Sequence, residues 1–224
     1  MSKNEKKICF IICTNNSVLL EECILYLSRL RVPQGMEMEL ISIPDATSML
    51  AGYKEAVEKT DAKYKVFMHQ DVFILNKNFI EDLISIFHSN AQIGMIGMAG
   101  SKKMPKDCIM WSDKLIGNIF FKGLIYDENY VYNLKKDGIT EAESVDGLLI
   151  ATSQDICLRT DILDGWDFYD VSMAFEMRRA GFRVVVPNQI MPWVIHDDGE
   201  VLNMSNYNHY RQIVMEEYKD LLEK

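Results

Sequence analysis

The chain has 224 residues, 48% of them hydrophobic and 25% charged, enough for one large domain with its own core or at most two small ones. Lysine and arginine number 24 against 33 aspartates and glutamates, giving a formal charge of −9. That balance argues against a dedicated nucleic-acid binder, because duplex affinity comes largely from cations set against phosphates.

Lys7–Cys13 is a β-branched apolar run that ends in Thr14-Asn15-Asn16, which reads as a strand followed by turn chemistry. Ser17–Leu30 then places Leu20, Cys23, Ile24, Leu27 and Leu30 at helical spacing, with Glu21 and Glu22 assigned to the first turn. A break at Arg31-Val-Pro-Gln-Gly leads to a second strand, Met38–Ile43, and a second helix, Thr47–Lys59, entered through Pro44-Asp45. The stretch Tyr64–Leu75, YKVFMHQDVFIL, is a third apolar strand interrupted by His69-Gln70-Asp71. A carboxylate between two apolar segments is costly if it is buried without a partner. It therefore belongs either at a sheet rim facing water or beside something positive. Asn76–His88 reads as a third helix and Ile93–Ala99 as a fourth strand.

This alternation of strand and helix implies βαβ units and a mostly parallel central sheet flanked by helices in an α/β fold. Ligands in such sheets collect at the carboxyl ends of the strands. Thr14-Asn15-Asn16, Pro44-Asp45 and His69-Gln70-Asp71 all stand at such ends and are expected to line one edge. Ser101–Ser144 carries Trp111, Phe120, Phe121, Tyr126, Tyr130 and Tyr132 without sustained periodicity, which suits a functional loop or a hairpin layer. Val145–Thr152 returns to strand character, Val171–Ala180 to helix and Phe182–Pro187 to strand. A tail helix, Ser205–Leu222, puts Tyr207, Tyr210, Val214, Tyr218 and Leu221 on one face.

The five cysteines, at 9, 13, 23, 108 and 157, form no CxxC and suit reduced thiols better than a disulfide framework. The first apolar run is too short for a signal sequence or a membrane span. The expected location is cytoplasmic, with peripheral contact at the inner face of a membrane as a further option. CTNNSVLLEE contains no glycine, so neither the phosphate loop expected of a nucleotidyltransferase nor a GxGxxG dinucleotide fingerprint is present after the first strand.

Six segments stand in order along the chain, IICTNN, SMLAGYKEAV, HQDV, VDGLLIAT, WDFYDVSMAFEMRRAGFRVVVP and WVIHDDG, spanning roughly residues 7 to 200. This ordered set of motifs resembles the GT-A glycosyltransferases, in particular the inverting family 2 and its smaller relatives. Three positions depart from the family pattern. His69 replaces the first Asp of Asp-x-Asp, Tyr169-Asp170 replaces an acidic pair, and Lys54 replaces the usual Asn. The resemblance implies one GT-A domain over 1–204, with 101–144 as an acceptor-side insertion and 205–224 as a C-terminal helix.

Implied functions follow residue by residue. The donor would be a nucleotide-sugar, UDP-linked by preference, held by Thr14, Asn15, Asp45, Ser48, Gln70 and Asp71. A divalent ion, Mn²⁺ or Mg²⁺, would sit on Asp71 and His196 and offset the charge of the leaving diphosphate. His69 is given a role in shaping the strand end. Asp146, Gly147 and Trp166 would contact sugar or acceptor. Asp170 would be the base that deprotonates the acceptor hydroxyl, giving inversion at the anomeric carbon. The acceptor would be a glycan, a lipid-linked sugar or a protein.

Plainer readings stand beside these. Thr14, Asn15 and Asp45 also suit caps or turns, Asp71 a turn carboxylate, His196 a structural histidine and Asp146-Gly147 an ordinary turn. Asp170 suits an N-cap, with Asp167 a competing base. At the level of the whole chain, the alternative is a non-catalytic nucleotide-sugar or glycan binding module, motivated by His69.

Overall fold

The structure is a computed structural model that describes residues 3–112, 115–122, 127–132, 138–197 and 203–223, without side chains for 122 and 127–132. Tyr126 and Asp198 lie outside the described residues, as do the side chains of Tyr130 and Tyr132.

The chain opens with β1 (Asn4–Thr14), α1 (Ser17–Leu27), β2 (Glu37–Pro44), α2 (Met49–Lys59) and β3 (Ala62–His69). There follow β4 (Val72–Ile74), α3 (Phe79–Ser89), β5 (Ile93–Gly97), β6 (Ala99–Ser101), β7 (Leu115–Lys122) and β8 (Asp127–Tyr132). Next come β9 (Ile139–Ala142), β10 (Ser144–Val145), β11 (Leu149–Thr152), α4 (Tyr169–Arg179), β12 (Arg183–Pro187) and β13 (Val194–His196). The last two elements are α5 (Tyr207–Glu217) and α6 (Lys219–Leu222).

Among the described residues, seven strands form the main sheet in the order β2-β1-β3-β11-β5-β12-β9. β2, β1 and β3 are parallel neighbours, as are β5 and β12, while β11 and β9 run antiparallel to the strands they pair with. The sheet is thus mixed, and the expectation of a mostly parallel sheet holds for its β2-β1-β3 half. In β1 the period-2 alternation divides the core. Ile8, Phe10 and Ile12 face one apolar cluster with α1 and α3, while Cys9, Ile11 and Cys13 face another with α2, α4 and α5. All six are at most 8% exposed, which is why the strand reads as a continuous apolar run.

A smaller sheet runs β10-β6-β7-β13-β4, with β8 paired to β7. Three apolar stretches that read as single strands are each split between the two sheets. Tyr64–Leu75 divides into β3 and β4 at Gln70-Asp71, Ile93–Ala99 into β5 and β6 at Met98, and Val145–Thr152 into β10 and β11 at Asp146-Gly147-Leu148. The carboxylates that interrupt those stretches therefore lie on the seam between sheets. β7 and β8 form an antiparallel pair within 101–144, which is the hairpin layer anticipated there.

The helix boundaries shift for local reasons. α1 starts one residue after Asn16, whose side chain accepts from the Val18 and Leu19 amides, so Glu21 and Glu22 stand beyond the first turn. The tail helix breaks at Tyr218 into α5 and α6. Among the described residues no helix is long and apolar enough to cross a membrane.

Candidate active site

The turn after β1 is held by one side chain from the turn after β3. Gln70 Oε1 accepts from Thr14 Oγ1 at 2.8 Å, from the Asn15 amide at 3.1 Å and from the Asn16 amide at 3.0 Å. Its Nε2 donates to Asn15 Oδ1 at 2.7 Å. Beside this knot, Asp45 takes a left-handed backbone conformation with φ 53° and its amide donates to the Thr14 carbonyl at 3.3 Å. Thr14, Asn15, Asp45, Gln70 and Asp71 line one cleft of about 340 Å³. Ser48, expected there, is instead 3% exposed and caps α2 through the Ala51 amide.

Asp71 anchors the seam. Its Oδ1 is buried with no hydrogen-bond partner among the described residues. It faces His69 Nδ1 at 3.8 Å and His196 Nε2 at 3.7 Å. One donor atom from each of these three side chains lies within 4.8 Å of the others, the arrangement of a metal site. Burial, with Asp197 nearby, pushes the Asp71 carboxyl up to about 6. Burial and the neighbouring His69 bring His196 down to about 3, and burial also lowers His69, so both imidazoles are neutral at pH 7. Neutral imidazoles beside an orphaned carboxylate oxygen fit a divalent cation.

His69 thus does more than shape the strand end. Its Nε2 meets the Tyr169 hydroxyl at 2.5 Å, so two of the positions that depart from the family pattern touch each other. Gly147 explains how Tyr169 gets there. A Cβ on Gly147 would lie 2.0 Å from the Tyr169 hydroxyl oxygen, so only a glycine leaves that space.

On the far side of His69 and Trp166, which border both clefts, a second cavity of about 220 Å³ is lined by Trp111, Asp146, Asp167, Asp170 and Tyr207. Asp170 Oδ2 accepts from the Gly147 amide at 3.0 Å and Oδ1 from the Val171 amide at 2.8 Å. Burial, then the charge of Asp146, pushes its carboxyl up to about 7 despite those bonds. Asp167 is raised by burial alone. The preceding Phe168 is left-handed, with φ 61°. Among the described residues the three non-glycine positions of this kind, Asp45, Cys108 and Phe168, all line the two cavities. Backbone strain gathered at a site is a common mark of function. Trp166 is half exposed between the cavities, whereas Trp193 packs edge-on against Phe79 in the core.

A family sequence model described as a glycosyltransferase-like family matches residues 9–218. The chain belongs to the glycosyltransferase-like family. Its fold is that of GT-A glycosyltransferases. GalNAc-T7, solved with UDP, GalNAc and Mn²⁺, superposes with a TM-score of 0.62 at 9% identity, covering 96% of this chain and 50% of that one. Residues 1–349 of TarS from S. aureus give 0.58 at 11% identity over 93% of this chain and 63% of that one. The mannosyltransferase PcManGT of Pyrobaculum calidifontis, solved with GDP-Man and Mn²⁺, gives 0.55 at 11% identity over 93% of this chain and 61% of that one. This family member spans at most about 63% of the length of those chains. No curated protein matches it in sequence.

Among residues that sequence reasoning gave no chemical role, Tyr169 and Tyr207 line the second cavity, together with Trp111, which sequence reasoning weighs as a surface for stacking a sugar ring. The signal for Tyr169 was present as a departure from the acidic pair. The signal for its partner was the departure at His69.

Proposed function

We propose that this family member transfers a sugar from a nucleotide-sugar, by preference a UDP-sugar, to an acceptor hydroxyl with inversion at the anomeric carbon. The observation that carries the reading is Asp170, a carboxyl pushed up to about 7 on the wall of a cavity separated from the Thr14–Asp71 cleft by His69 and Trp166. A base is most effective when its pKa lies near the working pH.

The donor's nucleotide lies along Thr14, Asn15, Asp45 and Gln70, whose mutual hydrogen bonds hold the cleft in shape before binding. The acceptor enters beside Asp146 and Trp166, between Trp111 of the 101–144 segment and Tyr207 of the C-terminal helix. Its hydroxyl oxygen attacks the anomeric carbon as its proton passes to an Asp170 oxygen. The bond from that carbon to the diphosphate oxygen breaks, and its electron pair leaves with the nucleoside diphosphate. A divalent ion, Mn²⁺ or Mg²⁺, on Asp71 and His196 supplies positive charge to the diphosphate when bound. The three partly buried, mutually close donor atoms and the orphaned Asp71 oxygen support that assignment.

The five cysteines are free, four of them buried, which supports a reducing, cytoplasmic setting. The acceptor is a glycan, a lipid-linked sugar or a protein.

Asp170→Asn tests the reading. With a donor and acceptor found by screening nucleotide-sugars, transfer should fall by about 10²–10⁴-fold while nucleoside diphosphate binding persists. Near-normal transfer would make Asp170 a structural carboxylate of the first turn of α4, whose N-cap position is Phe168. Binding of UDP that is indifferent to chelator, with no transfer to any acceptor, favours the binding-module alternative.

A further inference from the structure

His69 and Tyr169 stand at two positions where this chain departs from the family pattern, a hundred residues apart, yet their polar atoms meet. The contact engages Nε2 of His69 and leaves Nδ1 facing Asp71 Oδ1 at 3.8 Å, while His196 Nε2 faces the same oxygen at 3.7 Å. Around a first-row ion with bonds of about 2.1 Å, adjacent donor atoms stand roughly 3.0–3.4 Å apart. The three atoms stand somewhat wider than that spacing, all within 4.8 Å of one another.

We propose that the Tyr169 hydroxyl is the outer partner that holds His69 as a third metal ligand, and that the resulting two-imidazole, one-carboxylate site selects a transition ion over Mg²⁺. The proposal deepens the reading of the same site and rests on it only for the presence of a metal.

Three pieces of chemistry lead there. A neutral imidazole carries one N–H, so a ligating Nδ1 requires the proton on Nε2, where it donates to Tyr169 Oη. Ligating histidines are regularly fixed in this way by a partner on the other ring nitrogen. The hydroxyl is delivered with little freedom. Tyr169 follows the left-handed Phe168, its ring stands edge-on to Tyr53 at 5.9 Å, and Gly147 supplies the space for its oxygen. Finally, imidazole suits first-row ions such as Fe²⁺, Co²⁺ and Zn²⁺ and binds Mn²⁺ more weakly than these, whereas Mg²⁺ favours carboxylate, phosphate and water oxygens. Replacing a first-position carboxylate by His69 moves the site along that scale.

The test uses the whole chain without nucleotide. Co²⁺ is titrated while its visible absorption is followed, and Mg²⁺ and Mn²⁺ are then added as competitors. Co²⁺ should bind with a spectrum that Asp71→Ala abolishes, and Mn²⁺ should displace it at least about tenfold more effectively than Mg²⁺. Tyr169→Phe keeps the ring and should weaken Co²⁺ binding by about 10–100-fold and alter the spectrum, with the metal-free protein still folded by circular dichroism. His69→Asp should raise the relative affinity for Mg²⁺. Equal competition by Mg²⁺, or Tyr169→Phe binding Co²⁺ with the wild-type affinity and spectrum, overturns the proposal. So does the absence of any Asp71-dependent Co²⁺ binding. Sugar transfer is assayed in parallel. Intact transfer with failed metal selectivity sinks only this inference, and metal selectivity without transfer from any nucleotide-sugar sinks only the enzyme reading.

Discussion

Asp170 gains two backbone hydrogen bonds and is still held near neutrality, because burial and Asp146 outweigh them. A base works only when unprotonated, so kcat/KM for transfer should rise with pH through about 7 and level off above it. Asp146→Asn removes the second cause, and the rising limb should move to lower pH. A limb that stays in place in a pH–rate profile would assign it to another group. Gly147 is a second residue-scale case. Gly147→Ala sets a methyl against the Tyr169 hydroxyl and displaces the backbone amide that Asp170 accepts from. Overpacking of this kind typically costs about 1–3 kcal/mol. Thermal unfolding should show that loss together with a drop in transfer. Asp71 stood out in the sequence because a carboxylate between apolar strands is anomalous on its own, whereas an acid at a helix start is ordinary and Asp170 was picked out through the resemblance. The need for a glycine at Gly147 was not legible, since Asp-Gly reads as a common turn and the atom that forbids a side chain belongs to a tyrosine on another element.

At the scale of elements, the C-terminal helices brace the segment that carries Asp170. Tyr218 is fully buried, bonds Ser172 of α4 at 2.7 Å and stacks edge-on with Phe175. Arg159 and Arg179 converge on Glu217, both at 2.8 Å, and Arg179 also reaches Asp220. Nearer the site, Tyr210 donates to Asp164 and its ring fills the space a side chain on Gly165 would need, while Tyr207 packs on Phe168. Tyr218→Ala should therefore cost about 3–5 kcal/mol, as large aromatic truncations in cores do. Denaturant unfolding measures it, and a loss below about 1 kcal/mol would mean that the helix pair is only loosely docked. The long elements were visible from period alone, because α1, α2, α3, α4 and α5 each run for 11 residues and so span whole turns. The second sheet was not. β4, β6 and β13 have three residues each and β10 two, too few to show alternation, and their pairings join distant parts of the chain.

For the molecule as a whole, the two sheets meet where the chemistry is proposed. Asp71 sits between β3 of the main sheet and β4 of the smaller one, and His196 ends β13 of the smaller sheet. A divalent ion held by both would tie the sheets together across the seam, and a nucleoside diphosphate would add its own contacts to the Thr14–Gln70 knot. Ligands that bind only the folded state raise its stability by RT ln(1 + [L]/Kd), about 2.7 kcal/mol at a hundredfold excess over Kd. Mn²⁺ with UDP should accordingly raise the thermal midpoint more than UDP alone, and chelator should remove the difference. The net charge of −9 sets a control for this experiment. A protein with that charge attracts divalent ions diffusely, and diffuse binding is suppressed by salt within a Debye length of about 8 Å at physiological ionic strength. A partly buried site is screened far less. The Mn²⁺-dependent shift should persist at high salt and vanish in Asp71→Ala, whereas a shift that disappears with salt in the wild-type protein, or survives in Asp71→Ala, would place the ion elsewhere.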